Sequence, residues 1–480
     1  MSQHRTRLSL AAATVTGLSM LLVGCTADEA PIPSASSTTT AAPAPTGVAL
    51  PAVELPAGPL GDHARWLVGQ VGADPADDAA AVATRFSQAM LDQVGADALV
   101  DGIASVRASG PWTPVAFDGS DAEGLMTIQD TAGTFLDVQI TIDAEALVAG
   151  LLLTPGTDPS RPAPTTWDEL DERVGELDGD ATDAVVLVSQ VAGAAGPAQT
   201  PGERCEPLHD VGDVDAAMPV ASTVKLYVLA AVAQAVETGT LTWDTPLTLT
   251  DDVRSLPSGT LQDEPTGTVV TVRDAAGAMI AISDNTATDL LVATVGRDAV
   301  LAAMTATGHS DPSLNTPLLM TRDLFRLGWA PATDAPAWDS LSEAEQAATV
   351  AALPGGPIAV DPAAVTTAAW EDGIDWFASA RDLCAAHVAL QDAAGTPTGG
   401  PVREILAANP GIEIDAGAWP YVAYKGGSTP GVLAGSWYAQ DADGRAVVVS
   451  IQLTSSDPAA LPSPGTFVDL AEAALTLAQG

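Results

Sequence analysis

The last third of the sequence carries three short apolar runs that lie close together and are separated by turn residues. They are VAYKGG from 422, GVLAGSWYAQD from 431 and GRAVVVSIQLTS from 444, and the helically spaced segment FVDLAEAALTLAQ follows them. Such runs predict an antiparallel meander. Earlier in the same region, the helix pattern TTWDELDERVGEL, 165–177, precedes a further apolar strand. The first and last helices of the region would therefore flank one antiparallel sheet. The order predicts an α+β fold built as an αβα sandwich.

Residues 60–164 carry a different pattern, with helices first and strands after them. Helical spacing of apolar residues runs through ARWLVGQV, DDAAAVATRFSQAMLDQV and ADALVDGIASVRAS. The strand patterns WTPVAF, GLMTIQD, FLDVQITIDA and ALVAGLLLT follow, with Gly and Asp at the breaks. This order predicts a small α+β domain that looks like the cone-shaped ketosteroid-isomerase-like fold. The Pro-rich stretch TPGTDPSRPAPTT, 154–166, is the predicted linker to a second domain over 165–480.

The amino terminus carries the pattern of a secretory signal over residues 1–25. Basic residues precede an apolar stretch from Leu8 to Val23, and the tetrapeptide ending at Cys25 resembles a bacterial lipobox, whose cysteine becomes lipidated. A transmembrane anchor is the alternative, although the stretch is short for a span. Residues 26–59 are rich in Pro, Ser, Thr and Ala and predict a disordered tether. We therefore expect a lipid anchor on the extracytoplasmic face of the cell membrane.

Charge and residue spacing exclude several classes of partner. Acidic residues number 61 against 18 Lys and Arg, for a net charge of -43. Such a surface repels phosphate backbones, so we expect no nucleic-acid partner, and membrane contact would rest on the lipid. The five histidines lack metal-ligand spacing and the sequence has no phosphate-binding loop, so we expect no metal and no cofactor. We also expect a monomer. Cys205 and Cys384 permit one disulfide or two free thiols, and the sequence leaves both open.

Three short motifs carry the candidate chemistry. Ser222 and Lys225 stand three residues apart at the front of an apolar run, where a helix would bring them to one face. The stretch Ser283–Asn285 occupies a predicted helix start, and Lys425–Ser428 lies near the end of a strand. Each motif alone is common. Together and in this order they match the Ser-x-x-Lys, Ser-Asp-Asn and Lys-Thr/Ser-Gly set of penicillin-binding proteins and serine β-lactamases.

On these motifs the sequence resembles the class A β-lactamase superfamily over residues 165–480. The two-domain plan looks like a subgroup of β-lactamase-related lipoproteins and clavulanate-cluster β-lactamase-like proteins, in which a ketosteroid-isomerase-like domain comes first. The stretches EDGIDWFASARDLC, 371–384, and KGGSTPGV, 425–432, also look like that subgroup. The resemblance implies a β-lactamase-like αβα sandwich after the small α+β domain.

The resemblance also implies a role for each motif residue. Ser222 would be the nucleophile of an acyl-enzyme and Lys225 its base, with a pKa depressed by burial and by nearby Lys425. Ser283 would relay a proton toward the leaving group. The implied residues that bind the substrate or form the oxyanion hole are Asn285, Gly427 and Ser428. A capped helix and two solvated lysines would be the purely structural alternative.

Two departures from the family pattern bear on the reaction. Class A β-lactamases use a loop glutamate to activate the water that hydrolyses the acyl-enzyme, yet no glutamate lies between Asn285 and Leu327. Asp311 is the candidate remnant, but it is one methylene shorter, and a turn cap is the alternative. Gly426 stands where the family has Thr or Ser, which removes a hydroxyl that usually helps bind the substrate carboxylate.

Three functional classes follow from these observations. The first is a serine acyl-hydrolase, an esterase, amidase or peptidase that acts on a small-molecule or envelope substrate and turns over β-lactams poorly. The second is a true class A β-lactamase, which the missing glutamate disfavours. The third is a non-hydrolytic envelope lipoprotein that binds penicillin or another ligand. We expect the first.

Overall fold

The computed structural model describes residues 49–72, 78–120, 122–179, 182–193, 200–330, 337–412 and 414–480. The signal segment, Cys25 and most of the predicted tether lie outside the described residues. In the described part of the chain, no single helix is long and apolar enough to cross a membrane. One pair of helices bent by 93°, Asn285–Val295 and Arg297–Thr307, passes that test only when taken together.

The amino-terminal region folds as helices followed by an antiparallel sheet. Its elements are α1 Pro59–Val71, α2 Ala79–Ala83, α3 Gln88–Val94, α4 Ala96–Ala108, β1 Thr113–Gly119, β2 Glu123–Gln129, β3 Phe135–Ile142 and β4 Val148–Pro155. The strands pair in sequential order. The helix predicted for DDAAAVATRFSQAMLDQV is interrupted, because Phe86 leaves the helix to bridge Val148 and Ser87 then caps α3. The predicted α+β order is confirmed.

This region has its own hydrophobic core, which includes Phe86, Met126 and Val138. Among the described residues, the larger region is built around two large cores and one small buried cluster. Close packing between the two regions includes the approach of α14 to Gly156, where a Cβ on Gly465 would lie 1.8 Å from the Gly156 carbonyl oxygen. Side-chain volume is therefore excluded at that contact.

The larger region combines one main sheet with helices on both faces. Its elements before the nucleophile motif are α5 Trp167–Gly175, β5 Thr182–Val191, β6 Cys205–Val211 and β7 Met218–Pro219. The elements that follow are α6 Lys225–Glu237, β8 Pro246–Thr248, β9 Val269–Thr271, α7 Val272–Ala281, α8 Asn285–Val295, α9 Arg297–Thr307, α10 Thr321–Trp329 and α11 Glu343–Ala352. The last elements are β10 Phe377–Ala378, α12 Ala380–Ala394, α13 Gly400–Leu406, β11 Tyr421–Thr429, β12 Val432–Gln440, β13 Ala446–Ser455 and α14 Pro464–Leu477.

The main sheet is antiparallel with strand order β11-β12-β13-β5-β6. One face packs against α5 and α14, through a core that includes Leu170, Trp437 and Phe467. The other face packs against α12, and α6 packs against α12 in turn. The predicted αβα sandwich of the α+β class is confirmed. Since β11 is an edge strand, its outer edge is free to form one wall of a site.

Cys205 at the start of β6 and Cys384 on α12 form a disulfide, with Cα atoms 6.3 Å apart. This settles the pairing that the sequence left open. The bond ties the far edge strand of the sheet to a helix that packs beneath the sheet's centre.

Candidate active site

The segment before Ser222 is anchored to a distant part of the chain. Strand β7 pairs with β10, which brings Met218 opposite Ala378. Ala221 then adopts a positive φ of 45°, and its N–H donates to Asp375 Oδ1 at 2.8 Å. Ala221 is buried, whereas Ser222 is partly exposed. The strained residue is therefore buried directly before the nucleophile candidate, which is itself partly exposed.

Ser222 and Lys225 are connected by a 3₁₀ turn, Ala221–Val224, and α6 begins at Lys225. The sequence predicted a helical pairing of the two, and a 3₁₀ helix places residues i and i+3 directly above one another. Lys225 is fully buried. Its ammonium group nevertheless donates to Ser283 rather than to Ser222, which has no hydrogen-bond partner for its hydroxyl among the described residues.

The Ser-Asp-Asn motif joins the site through its first and last residues. Lys225 Nζ donates to the Ser283 carbonyl at 2.6 Å, to Ser283 Oγ at 3.0 Å and to Asn285 Oδ1 at 2.7 Å. Ser283 has a positive φ of 56°. Asp284 is buried and caps α8 by accepting from the Ala287 N–H at 2.8 Å. The middle residue is therefore structural, and its two neighbours face Lys225.

Lys425 completes the cluster from β11. Its Nζ donates to Ser283 Oγ at 2.9 Å and to the Gly426 carbonyl. Two buried amines therefore meet at one serine hydroxyl. Lys225 and Lys425 are also the only two lysines in the chain. The lysine content of the chain is therefore a second sequence signal for the site, independent of the spacing of the motifs.

Burial governs the protonation of both lysines. It lowers the pKa of Lys225 to about 7, partly offset by the negative charges of Asp284 and Asp289. Burial, followed by the charge of Lys225, holds the pKa of Lys425 well below its usual range. At neutral pH a substantial fraction of Lys225 is then the free amine, which is the form that can accept a proton.

Strand β11 lies directly against the nucleophile turn. A Cβ on Gly427 would lie 2.4 Å from the Val220 carbonyl oxygen and 2.6 Å from the Ser222 nitrogen, so only glycine permits this approach. Thr429 and Val432 flank a two-residue turn and form a hydrogen-bonded pair, which makes Ser428 a non-hydrogen-bonded position. Its N–H therefore points away from β12, toward the edge where Ser222 lies.

Among the described residues, no hydrogen bond or ion pair joins Asp311 to the cluster around Ser222 and Lys225. It is exposed, and its carboxylate accepts from the Ser313 N–H at 3.1 Å and from the Ser313 hydroxyl. It thereby caps the 3₁₀ turn Pro312–Asn315. Of the two interpretations of Asp311 from the sequence, this geometry favours the turn cap.

A different carboxylate, Asp375, contacts the nucleophile segment and was missed by the motif analysis. It is buried and accepts from the N–H groups of Ala221 at 2.8 Å and Trp376 at 2.7 Å, and from the Thr429 hydroxyl at 3.2 Å. Burial raises its pKa to about 7. Asp375 also lines a cavity of about 250 Å³ together with Asn315. The stretch EDGIDWFASARDLC contains it, but the sequence alone gave no reason to select this acid among its neighbours.

The arrangement matches a known family. The model of the beta-lactamase enzyme family matches residues 212–466, more than half of the chain and a span that contains all three motifs. The chain belongs to the beta-lactamase enzyme family. A second model, described as the ORF 12 gene product N-terminal region, matches residues 55–148. No match was found among curated proteins.

Solved structures are similar at low sequence identity. A β-lactamase from Sphaerobacter thermophilus is 20% identical, with 66% of this chain and 98% of that chain covered and a TM-score of 0.43. A PBP-A mutant in an acyl-enzyme complex with penicillin G is 16% identical, with coverages of 67% and 98% and a TM-score of 0.41. A β-lactamase from Chitinophaga pinensis is 14% identical, with coverages of 65% and 97% and a TM-score of 0.42. Similarity at this level says nothing about the reaction.

Proposed function

We propose that this member of the beta-lactamase family is a serine acyl-hydrolase that forms an acyl-enzyme on Ser222. The observation that carries the proposal is the environment of Lys225. This buried amine, with a pKa of about 7, lies one 3₁₀ turn from a partly exposed serine and contacts both Ser283 and Asn285. A serine hydroxyl is a poor nucleophile at neutral pH and needs such a base.

In the acylation step Ser222 Oγ attacks the substrate carbonyl carbon, and its proton passes to the neutral amine of Lys225. The N–H groups of Ser222 and Ser428 stabilise the oxyanion that forms. The tetrahedral intermediate then collapses, and the leaving group takes a proton from Ser283 Oγ. Ser283 regains its proton from Lys225, which donates to it in the structure. Water later releases the acyl group as an acid.

For the deacylation step, neither of the two acids considered among the described residues is free to act as a base. Asp311 is exposed and occupied with its own turn, and Asp375 already accepts three hydrogen bonds. The proposed activity is hydrolysis of esters or amides. Slow turnover of β-lactams is proposed because class A β-lactamases release the penicilloyl group with a loop glutamate, and no glutamate lies between Asn285 and Leu327. A penicillin would then form a long-lived adduct on Ser222, or would not react if Gly426 weakens recognition.

We further propose that the protein acts at the cell envelope through a lipid on Cys25, with a small-molecule or envelope ester or amide as substrate. The lipobox-like sequence supports this, and the Cys205–Cys384 disulfide fits an oxidising compartment. The Cys25→Ala variant should be released from the membrane fraction into the soluble fraction. Retention of that variant in washed membranes would refute the lipid anchor.

The nucleophile assignment is tested with intact-mass spectrometry after exposure to a fluorophosphonate, together with hydrolysis of a p-nitrophenyl ester. We expect one adduct per chain, and loss of both adduct and hydrolysis in Ser222→Ala. The exposed Ser120→Ala variant is the matched control and should behave as the wild type. Hydrolysis that persists in Ser222→Ala would overturn the assignment.

The class of hydrolase is tested with a chromogenic cephalosporin and with penicillin G. We expect little turnover of either and, where a penicillin reacts, a mass shift on Ser222 that persists for many minutes. Rapid multiple turnover that collapses in Asp311→Asn would establish a β-lactamase in which Asp311 activates the water. Absence of any reaction with ester, fluorophosphonate and penicillin alike would favour a ligand-binding role.

A further inference from the structure

The cavity of about 250 Å³ beside Asp375 is a space separate from the proton-transfer cluster. Its lining comes from three parts of the chain, which are loop 314–319, the segment that begins at Trp338, and residues 373–377. Among the described residues that line it, neither Ser222 nor either of the two buried lysines is found. Whatever occupies the cavity therefore need not be the group that reacts with Ser222.

Most of this lining is apolar, and three of its side chains are aromatic. Trp338, Trp376 and Phe377 supply the rings, and Pro317 and Leu319 add aliphatic surface. Both tryptophans are buried, with 8% of Trp338 and 5% of Trp376 exposed. For comparison, an apolar cavity of about 150 Å³ admits benzene. The space therefore fits one ring with a short substituent.

Several polar groups that line the cavity are already used by the protein. Asn315 donates to the Phe377 carbonyl at 2.9 Å and accepts from the Phe377 N–H at 2.9 Å. The indole N–H of Trp376 donates to the Leu319 carbonyl at 3.0 Å. Asp375 accepts from two backbone N–H groups and one hydroxyl. These groups need no ligand to satisfy them.

The indole N–H of Trp338 is different, because it has no acceptor among the described residues although the side chain is buried. A Cβ on Gly373 would lie 3.5 Å from Trp338 Cδ1, the ring carbon bonded to the indole nitrogen. Gly373 also lines the cavity, so this edge of the indole faces it. A buried donor without an acceptor costs about 1–3 kcal/mol. An acceptor atom on a ligand would remove that cost.

The charges around the cavity select against ions. Asp339 and Asp375 are the only ionisable side chains among the described residues that line it. A carboxylate ligand would meet like charge and no counterion. An ammonium ligand would offer no acceptor to Trp338, and its two possible partners are poor, since Asp375 already accepts three hydrogen bonds and Asp339 is exposed. The lining therefore favours an uncharged ligand.

We propose that this cavity is a binding site for a small uncharged compound that has one ring and a carbonyl or amide oxygen. The ring packs against Trp376 and Phe377, and the oxygen accepts from the Trp338 indole N–H. The site is distinct from the acylation centre, and the proposal does not depend on the hydrolase function.

The test uses four probes of nearly equal size, which are benzamide, toluene, benzoate and benzylammonium. Binding is measured by calorimetry and by the ¹⁵N–¹H signals of the tryptophan indole groups. Benzamide should bind most tightly, with a Kd on the order of millimolar, and should shift the indole signal that is missing in Trp338→Phe. Tighter binding of benzoate or of benzylammonium than of benzamide would refute the uncharged class of ligand.

Two variants test the contact with the indole N–H. Trp338→Phe keeps an aromatic wall and removes the donor, so the affinity for benzamide should fall about fivefold while the affinity for toluene does not fall. Trp167→Phe is the matched control, because Trp167 stacks on His209 and does not line the cavity. It should leave both affinities unchanged. Equal losses for benzamide and toluene in Trp338→Phe would mean that the N–H does not bind the ligand.

The remaining outcomes decide where the ligand lies. Benzamide should bind Ser222→Ala as tightly as wild type, so the result is independent of the acyl-enzyme. Loss of benzamide binding in protein that carries a fluorophosphonate adduct on Ser222 would place the ligand at the acylation centre and overturn the proposal. If no probe at millimolar concentration shifts the Trp338 indole signal, the cavity holds water only and the proposal is wrong.

Discussion

Two loop segments reach the region around Ser222 and Lys225, and they use their polar groups in different ways. The loop 283–285 directs Ser283 and Asn285 at the amine of Lys225, and Lys425 shares the Ser283 hydroxyl. The segment 371–377 instead directs Asp375 at the backbone of Ala221 and at the hydroxyl of Thr429. The first segment gathers exchangeable protons around one oxygen. The second uses its buried carboxylate to hold chain segments in place.

The difference teaches that a motif set and a complete catalytic cycle are separate properties. The residues proposed to form the acyl-enzyme are grouped together, and both lysines among them are buried and have depressed pKa values. Of the two acidic groups considered for the second step, Asp311 caps a turn and Asp375 binds the backbone of the segment before Ser222. We therefore expect changes near loop 283–285 to alter proton transfer, and changes near 371–377 to alter geometry.

The largest effect is expected from removal of the Lys225 amine. Lys225→Met keeps the length of the side chain but has no base, so acylation should fall about 10²–10⁴-fold. Lys225→Arg should fail similarly, because a guanidinium stays protonated. Pre-steady-state release of p-nitrophenol measures the acylation rate, and thermal unfolding checks that both variants fold. Near-normal acylation in Lys225→Arg would remove the base assignment.

The second largest effect on acylation is expected at the close approach of β11 to Ser222. In Gly427→Ala the added methyl group meets the Val220 carbonyl and the Ser222 nitrogen, which should displace the oxyanion donors. We expect acylation to fall about 10²–10³-fold, as for loss of an oxyanion-hole donor. Gly400→Ala is the matched control, because a Cβ there has no atom within 4 Å. Equal activities of the two variants would mean that β11 does not form the oxyanion hole.

The two carboxylates provide a smaller and more selective effect. Asp375→Ala leaves the buried Ala221 N–H without its acceptor, which costs about 1–3 kcal/mol of stability, and should slow acylation about tenfold by misplacing Ser222. Asp375→Asn retains an acceptor oxygen and should recover most of the rate. Asp311→Ala should leave the rate unchanged. A rate loss in Asp375→Asn as large as in Asp375→Ala would show that the charge, and not the geometry, matters.

The smallest effect is expected from a change of pH, measured as the acylation rate of the unmodified protein. Free Lys225 amine is required, so acylation should rise about tenfold per pH unit below pH 7 and level off above it. The pKa of Asp375 is also about 7, but Asp375→Asn should keep the same rising limb if Lys225 causes it. Because the chain has only two lysines, ¹⁵N-lysine labelling would report Nζ of Lys225 and Lys425 directly. A Lys225 midpoint near 10 would contradict the proposed base.

Much of the fold could be predicted because its signals are local. The strands β11 to β13, the capped helix at Thr166 and the helix start at Asp284 follow from alternation, turn residues and capping within a few positions. The break near Phe86 escaped prediction, because a bridge to Val148, more than sixty residues away, competes with the local helix pattern.

For the site, the sequence by itself determined which residues could react: a serine and a lysine three positions apart, a helix start with Ser and Asn, and a strand with Lys and Gly. Only the tertiary structure decided how they are used. Lys225 donates to Ser283 and not to Ser222, and Asp375 and not Asp311 reaches the segment before Ser222. Both outcomes depend on contacts between segments far apart in the chain and on how much water they exclude, and neither distance nor burial is encoded in local spacing.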